Sequence, residues 1–492
     1  MTSPKRPEIG AFLFSSRGQC LHYTWIAFFI TILVWFNHAP LMAAIRDTLG
    51  LPDNVVKAIL ILNVALTIPA HIAIGRLVDR FGPSVVFSCL LALSGLLSFA
   101  FALADDLVLL LVLRFLLGLS GAGFVVGIRM IGEWFPAREV GLAEGVYAGW
   151  GALGSALAAM ALPAVALAFG GAEGWRYAVA VTGFVALIYA GIYYLSVRDT
   201  PPGATYFKPR QMGAIEVTSR RDFLLCLMTL APVYGALAAV NWLLGPDALV
   251  ILPEPVGRAV YGGLLLAFLY RGYRLYWGNR DVFSRPADPF HQYDFTQVTV
   301  LCLVYCVTFG AELSVLSVLP LHFQGLYDLT LVQAGMLSAA FALMNLASRP
   351  LGGWLCDSYG RKKSLVLLLL GAGVGFLLMS QMAGSWPLAP VIVVTMVSAF
   401  FVQAGSGAVF AIAPLIKRRL TGQIAGLIGA YGISGAIFFL MIFALLTVQM
   451  FFLMITWLAI AAVFIVLLLL VEPRGQTAEI LPDGTVQMID VG

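Results

Sequence analysis

The sequence is a succession of apolar runs, each about 20 residues or longer, separated by short segments that hold most of the charged residues. A helix needs about 20 mostly apolar residues to cross the hydrocarbon core of a bilayer. Of the 492 residues, 61% are hydrophobic and only 11% are charged, which is too little charge to cover a soluble globule of this size. We therefore expect an all-α polytopic membrane protein embedded in a lipid bilayer.

The apolar runs number fourteen and divide the chain into five parts. A cytoplasmic N-terminus (1–20) precedes a six-helix half (21–195). A second six-helix half (298–471) precedes a cytoplasmic tail (472–492). Between the halves, residues 196–297 form a polar linker that contains two additional apolar runs, 223–252 and 256–276. We expect fourteen transmembrane helices, with the additional pair outside the two halves.

Fourteen of the 29 lysines and arginines lie in segments that would share one side of the membrane. These residues are Lys5, Arg6, Arg17, Arg198, Lys208, Arg210, Arg220, Arg221, Arg361, Lys362, Lys363, Lys417, Arg418 and Arg419. Short cytoplasmic loops carry an excess of basic residues. We expect both termini to be cytoplasmic, in a plasma membrane of the bacterial inner-membrane type.

Several classes of function find no support in the sequence. The net charge is +4, and no basic run is interleaved with aromatic residues, so nucleic acid is not an expected partner. The six cysteines show no metal-binding spacing, and no phosphate loop or nucleophile motif is present. We therefore expect neither an enzyme nor a metal or organic cofactor. A sensor of anions would need an output domain, and the sequence indicates none. The oligomeric state is not predicted.

An internal repeat relates the two halves at constant offsets. In the first pair of segments, Gly75, Asp79 and Gly82 match Gly353, Asp357 and Gly360, and the basic residues Arg80 and Arg361 accompany them. The second pair is Gly141, Gly145, Gly151 and Gly154 with Gly422, Gly426, Gly432 and Gly435. Glycine lets helix backbones approach closely, so we expect these eight glycines to lie at helix contacts. Parallel repeats of this kind build transporters whose cargo site lies between the halves.

At these residues the chain resembles the major facilitator superfamily, whose signature after the second span has the form G-x-x-x-D-R-x-G. Within it, segments 122–136, 141–145, 349–353, 403–410 and 422–426 resemble the nitrate/nitrite porter family. The resemblance implies a permease for a small inorganic anion, most plausibly nitrate or nitrite, in which two six-helix halves rock about a central site. It also implies that the first pair of segments forms a cytoplasmic gate, and that the additional spans are an insertion.

In these porters, two arginines hold the anion, each eight residues before the signature aspartate. The resemblance carries this role to Arg349 in the second half, whereas His71 occupies the equivalent place in the first. It also implies an aromatic clamp formed by Phe124, Tyr305 and Phe309. Ala152 and Ile433 stand where the porters carry asparagine. A permease of this fold for another small solute, an anion or a metal complex, therefore stays open as an alternative.

Two ionisable groups are candidates for proton coupling. Histidine replaces the charge of an arginine only when it is protonated, so His71 in that role would link transport to protons. The alternative is a neutral, hydrogen-bonding His71 in a site whose cargo needs only one positive charge or has changed. Glu312 lies in mid-span, two helical turns beyond Tyr305 and on the same face. An acid at this depth would either carry a proton or balance an arginine.

Overall fold

Helices form nearly all of the structure, a computed structural model that describes residues 15–170, 173–209, 214–283, 292–327, 329, 337, 339–473, 475–480 and 486–490. The helices of the first half are α1 (Ser16–Phe36), α2 (Met42–Leu49), α3 (Asp53–Ala65), α4 (Thr67–Phe81), α5 (Pro83–Ala102), α6 (Leu107–Leu117), α7 (Gly123–Trp134), α8 (Val140–Phe169) and α9 (Gly174–Ser196). The linker contributes α10 (Arg220–Leu244) and α11 (Glu254–Gly278).

The second half follows with the same order of long helices. It contains α12 (Phe295–Tyr327), α13 (Asn345–Tyr359), α14 (Arg361–Ser380), α15 (Leu388–Phe410), α16 (Ala413–Ile416), α17 (Thr421–Phe443) and α18 (Val448–Leu469). After it, β1 (Gln476–Ile480) pairs antiparallel with β2 (Val486–Asp490). The sequence analysis expected no strand in this tail, so the hairpin is an addition to the all-α expectation.

The described residues contain twelve helical segments long and apolar enough to cross a membrane, two fewer than the expected fourteen. One of the missing two is α11, whose sequence contains Glu254, Arg258, Arg271 and Arg274. The other expected run, 332–355, lies partly outside the described residues. The first span is interrupted at a short 3-10 turn that contains Pro40, and the fourth at a 3-10 turn between α6 and α7.

The two halves meet where the glycine-rich helices cross their neighbours. Helix α8 of the first half packs against α13, and α17 of the second half packs against α4. A β-carbon added at Gly145 would overlap the backbone carbonyl of Arg349, and one added at Gly426 would overlap that of His71. Each glycine-rich helix therefore lies directly against the backbone that carries a candidate binding residue of the other half.

The other expected packing glycines also lie against neighbouring atoms. A β-carbon added at each of these glycines would overlap a residue of a neighbouring helix. The pairs, glycine first, are Gly141 with Gly353, Gly151 with Phe28, Gly154 with Phe29, Gly422 with Gly75, Gly432 with Tyr305 and Gly435 with Cys306. Gly141 and Gly422 thus contact the signature helices of the opposite half, while Gly151, Gly154, Gly432 and Gly435 contact the first helix of their own half.

Candidate functional site

A cavity of about 110 Å³ lies between the two halves. It is lined by Phe28, Ile32, Trp35, Phe36, His71, Gly121, Phe124, Ala148, Ala152, Ser155, Tyr305, Phe309, Glu312, Leu313, Leu316, Ala342, Asn345, Arg349, Gly429 and Ile433. The structure therefore brings all the candidate binding and proton-coupling residues together around one space, which we call the central cavity.

Arg349 provides the positive charge of the central cavity. Its side chain is 4% exposed, and its Nη2 lies 3.1 Å from Oε2 of Glu312. Its Nε donates to Oδ1 of Asn345 at 2.7 Å, and Nδ2 of Asn345 donates to Oε1 of Glu312 at 2.8 Å. Ser406 donates to the same carboxylate at 3.3 Å. A buried ion pair of this kind is stable only when its remaining polar atoms are hydrogen-bonded, and Asn345 and Ser406 meet that need.

His71 lies at the equivalent place on α4, buried and lining the same cavity. Its Nδ1 lies 2.7 Å from the carbonyl oxygen of Thr67, one helical turn earlier. A carbonyl oxygen only accepts hydrogen bonds, so Nδ1 carries a proton. In the neutral ring, Nε2 is then an acceptor, and only the doubly protonated ring offers a second donor.

Aromatic rings form one wall of the central cavity. The rings of Tyr305 and Phe309 stack with centroids 5.1 Å apart, and Phe124 stacks on Tyr305 at 6.5 Å. Phe410 contacts both Phe124 and Tyr305 edge-on at 4.8 and 4.9 Å. The guanidinium carbon of Arg349 lies 5.5 Å from the Phe309 centroid. The rings thus restrict the shape of the cavity beside its one arginine.

Ala152 and Ile433 complete the central cavity with apolar side chains. Neither side chain can form a hydrogen bond, so Arg349, Asn345, His71, Glu312 and nearby hydroxyls give this cavity its polar side chains. Ser155 is one such hydroxyl; it lines the cavity and donates to the carbonyl of Ala152.

A second cavity of about 480 Å³ adjoins the central one and shares Phe36, Leu313 and Ile433 with it. Its other lining residues lie on α3, α10, α12 and α17 and in the turn after α1, on the side of the protein opposite Asp79. The central cavity therefore continues toward one membrane face. We call the opposite side, where Asp79 and Asp357 lie, the Asp79 face.

At the Asp79 face, Asp79 joins the two halves. Its carboxylate accepts hydrogen bonds from the backbone N–H groups of Gly422 and Gln423, both at 2.9 Å. These N–H groups lie in the first turn of α17 and have no carbonyl partner within the helix, so a negative charge is favoured there. Arg129 lies 3.3 Å from the same carboxylate and 2.9 Å from Glu133.

Polar groups of the linker extend the contacts of Arg129. Its Nε donates to the hydroxyl of Tyr206 at 3.1 Å, and that hydroxyl donates to the carbonyl of Val78 at 2.6 Å. Burial raises the pKa of Tyr206, so its hydroxyl remains protonated and able to donate. Arg418 in turn lies 3.2 Å from Glu133. Charges of both halves therefore converge on this face.

Asp357 makes the equivalent contact in the second half. It accepts hydrogen bonds from the N–H groups of Gly141 at 3.1 Å and Leu142 at 2.8 Å, at the start of α8. Arg361 donates from its side chain to the carbonyl of Ala137 at 2.6 Å. Gly82 and Gly360 have φ values of +90° and +96°, which side chains other than glycine rarely adopt.

Arg80 differs from the expectation that it belongs to the gate. Its side chain is exposed and lies over the ring of Phe81, with the guanidinium carbon 4.7 Å from the centroid. Arg129, not Arg80, forms the ion pair with Asp79. Consecutive helical residues point about 100° apart, so Arg80 turns away when Asp79 faces α17.

Asn345, Ser406 and Phe410 are site residues that the sequence analysis did not name. The repeat contained a signal for Asn345, because it precedes Arg349 by four residues just as Thr67 precedes His71. No such spacing marks Ser406 or Phe410. Among the described residues, no group of three or more His, Cys, Asp or Glu side chains could hold a metal ion.

Comparisons with known proteins give a consistent result. A family model described as Major Facilitator Superfamily matches residues 24–271 and 301–485. The nitrate/nitrite transporter NrtP of Picosynechococcus sp. is 42% identical over 462 residues, covering 88% of this chain and 86% of that protein. NrtP of Nostoc punctiforme is 40% identical, covering 95% of each. The high-affinity nitrate transporter 2.3 of Oryza sativa subsp. japonica is 27% identical, covering 85% and 70%.

Solved structures with this fold include transporters of other solutes. The human organic anion transporter MFSD10 (TETRAN) aligns with a TM-score of 0.63 at 13% identity, covering 92% of this chain and 99% of that one. The proton:xylose symporter XylE aligns with a TM-score of 0.60 at 16% identity, covering 93% and 97%. At these identities the likeness concerns the fold alone.

Proposed function

Because this chain belongs to the major facilitator superfamily, we propose that it is a permease that moves nitrate or nitrite across a membrane by alternating access. One observation carries the proposal: Arg349 and His71, at equivalent places of the repeat, line the same cavity between the halves. Both NrtP relatives are nitrate/nitrite transporters, which supports the choice of cargo. The cargo crosses unchanged, so the chain acts as a transporter and not as an enzyme.

The chemistry of the central cavity suits a small planar oxyanion. A guanidinium offers several N–H donors in one plane and stays charged, so Arg349 can bind two oxygens of nitrate or nitrite. The stacked rings of Tyr305 and Phe309 limit the space beside it. Phe124 closes the same wall from the first half, so the three rings hold a flat anion against Arg349.

Proton linkage follows from the hydrogen bonds of His71. Because Thr67 fixes the proton on Nδ1, the neutral ring presents only a lone pair at Nε2, which repels an anion. A second proton converts Nε2 into a charged donor. We assign His71 the role of a proton-dependent anion ligand, so nitrate and a proton enter the site together.

Glu312 provides the second proton-dependent step. Its carboxylate is bound to Arg349 and therefore competes with the anion for the guanidinium. Protonation of Glu312 removes that competition and leaves Arg349 available for cargo. Both steps have the same sign, since each makes anion binding stronger at lower pH.

Alternating access explains why the Asp79 face is closed while the central cavity continues to the other side. The contacts of α4 with α17 and of α8 with α13 hold the Asp79 face shut. We assign this face to the cytoplasm, with both termini, in a bacterial-type inner membrane, because basic residues are concentrated in its loops. Opening to the cytoplasm then requires these contacts to separate while contacts on the opposite side form.

The additional helices of the linker complete a fourteen-span topology in this proposal. Helices α10 and α11 are each 25 residues long, which at 1.5 Å per residue is about 37 Å and enough to cross a bilayer. An even number of additional spans keeps the second half in the same orientation as the first. The division into residues 21–195, 196–297 and 298–471 follows these helices.

Uptake into proteoliposomes tests the proposed function. We expect accumulation of labelled nitrate and nitrite in the presence of an inward proton gradient, and little uptake of sulfate or uncharged solutes. Arg349→Lys keeps the charge but loses the planar donors, so it should reduce nitrate uptake at least tenfold. Arg258→Gln, at an exposed ion pair with Glu254, is the matched control. Full nitrate uptake by Arg349→Lys, or transport of other solutes only, would contradict the proposal.

A further inference from the structure

An apolar crevice separates the linker helices from the first half. Its volume is about 520 Å³, within the range of about 300–1,000 Å³ that small-molecule sites occupy. It is lined by Leu62, Ala65, Pro69, Ile72, Ala73, Phe115, Val233, Tyr234, Leu237, Val240, Asn241, Leu244, Leu252, Val260, Leu264, Ala267 and Arg271. We call it the lateral crevice, because it is formed by α10 and α11 and not by the walls of the central cavity.

The lateral crevice has the length of one lipid leaflet. On α11 it extends from Val260 to Arg271, which is about 16 Å of helix at 1.5 Å per residue. Half of a hydrocarbon core of about 30 Å is about 15 Å. A single acyl chain therefore matches the crevice in both length and polarity.

Positive charge is concentrated at one end of the lateral crevice. A smaller cavity of about 40 Å³ adjoins it there, shares Ile72 and Arg271 with it, and is also lined by Arg76. Arg76 on α4 and Arg271 on α11 therefore line one small space from two different helices. Basic pockets between transmembrane helices on the cytoplasmic side bind anionic lipid headgroups.

We propose that the lateral crevice binds an anionic phospholipid, with one acyl chain between α4 and α11 and its phosphate between Arg76 and Arg271. The arginines lie toward the Asp79 face, which places the headgroup in the leaflet that carries that face. This gives the linker helices a function, since they form one side of the lipid site.

The position of the headgroup connects the lipid to the closed Asp79 face. Gln423 also lines the smaller cavity, and its backbone N–H is one of the two donors to Asp79. A bound phosphate therefore contacts α4 of the first half, α11 of the linker and the start of α17 of the second half. Such a lipid holds these three elements together and stabilises the conformer described above.

Native mass spectrometry of the full-length protein in detergent tests the proposal. Phosphatidylglycerol and phosphatidylcholine with identical acyl chains are titrated separately. We expect one phosphatidylglycerol to be retained in severalfold excess over phosphatidylcholine. Arg271→Gln should reduce that retention severalfold, whereas Arg258→Gln, on the same helix at an exposed ion pair, should not. Equal retention of the two lipids, or unchanged retention by Arg271→Gln, would overturn the proposal.

A second variant separates the acyl chain from the phosphate. Ala267→Phe fills the lateral crevice and leaves both arginines in place, so it should also reduce phosphatidylglycerol retention. Inorganic phosphate and glycerophosphoglycerol, which lack acyl chains, should not displace the lipid at equal concentration. Displacement by either compound, or full retention by Ala267→Phe, would show a site for a free anion and overturn the lipid assignment.

Discussion

Glu312 and Arg349 form a buried ion pair in the central cavity, with Oε2 of the carboxylate 3.1 Å from Nη2 of the guanidinium. Asn345 is hydrogen-bonded to both partners and fixes their geometry. The pair is neutral as a unit, so the carboxylate of Glu312 already balances the positive charge of Arg349. We therefore expect nitrate binding to change the charge or the position of Glu312.

Replacing Glu312 by glutamine should separate binding from proton coupling. The amide has the size of the carboxylic acid but carries no charge and takes up no proton, so Arg349 stays available at every pH. We expect nitrate affinity to vary less with pH than in the wild type, and proton-driven accumulation to fall while nitrate exchange across the membrane continues. Binding isotherms and counterflow in proteoliposomes measure the two effects.

Glu254→Gln is the control for Glu312→Gln, because Glu254 is exposed and does not line the central cavity. It should leave both measurements at the wild-type level. A Glu312→Gln variant that accumulates nitrate with an unchanged dependence on the proton gradient would remove Glu312 from the coupling mechanism.

Replacing His71 by arginine should supply permanently the charge that we assign to the protonated ring. The wild-type affinity should weaken as pH rises, because a neutral ring has no donor at Nε2. His71→Arg should reduce this weakening to the part that Glu312 contributes, and His71→Ala should bind nitrate poorly at all pH values. A lost charge-assisted hydrogen bond is worth about 1.5–3 kcal/mol, or roughly 10- to 100-fold in affinity.

Uptake of labelled nitrate across a range of pH values measures these effects. His22→Gln is the control, since His22 accepts a hydrogen bond from Trp25 and does not line the central cavity. Identical pH profiles for the wild type, His71→Arg and His71→Ala would rule out the proton-dependent role of His71.

Asp79 and Asp357 should contribute unequally to closure of the Asp79 face. Both carboxylates accept two backbone N–H groups, but Asp79 also pairs with Arg129. Asparagine keeps one acceptor and loses the charge, at a cost of about 1.5–3 kcal/mol for a hydrogen bond to a charged group. We expect Asp79→Asn to open this face more than Asp357→Asn does.

Distances between spin labels placed on the two halves at the Asp79 face, measured by electron–electron double resonance, report this difference. Asp79→Asn should increase the fraction of long distances relative to Asp357→Asn. Equal populations in the two variants would show that Arg129 adds nothing to closure.

The sequence predicted the site where the repeat or the family signature constrained it. The equivalence of His71 and Arg349 follows from their common distance to Asp79 and Asp357, and the structure places both at one cavity. The position of Glu312 on the face of Tyr305 follows from helical periodicity. Its pairing with Arg349 does not, because periodicity within α12 says nothing about the register of α12 against α13.

Other features depended on contacts between helices that are distant in sequence. Arg129 forms its ion pair with Asp79 across fifty residues, while Arg80, the neighbour in sequence, points away. The number of spans is equally hard to predict at α11. Its arginines reduce its apolar character, although it packs against the other helices through α10.

The packing of Gly426 against His71 gives a direct test of how the halves are coupled. A β-carbon at Gly426 would overlap the carbonyl oxygen of His71, and a backbone atom cannot move aside as a flexible side chain can. We expect Gly426→Ala to cost about 1–3 kcal/mol in the conformer closed at the Asp79 face, typical of overpacked contacts. Gly191→Ala, where no atom lies within 4 Å of the added carbon, is the matched control. The unfolding temperature and the rate of nitrate uptake should both fall in Gly426→Ala and stay unchanged or rise slightly in Gly191→Ala. Equal behaviour of the two variants would show that α4 and α17 do not need this close contact.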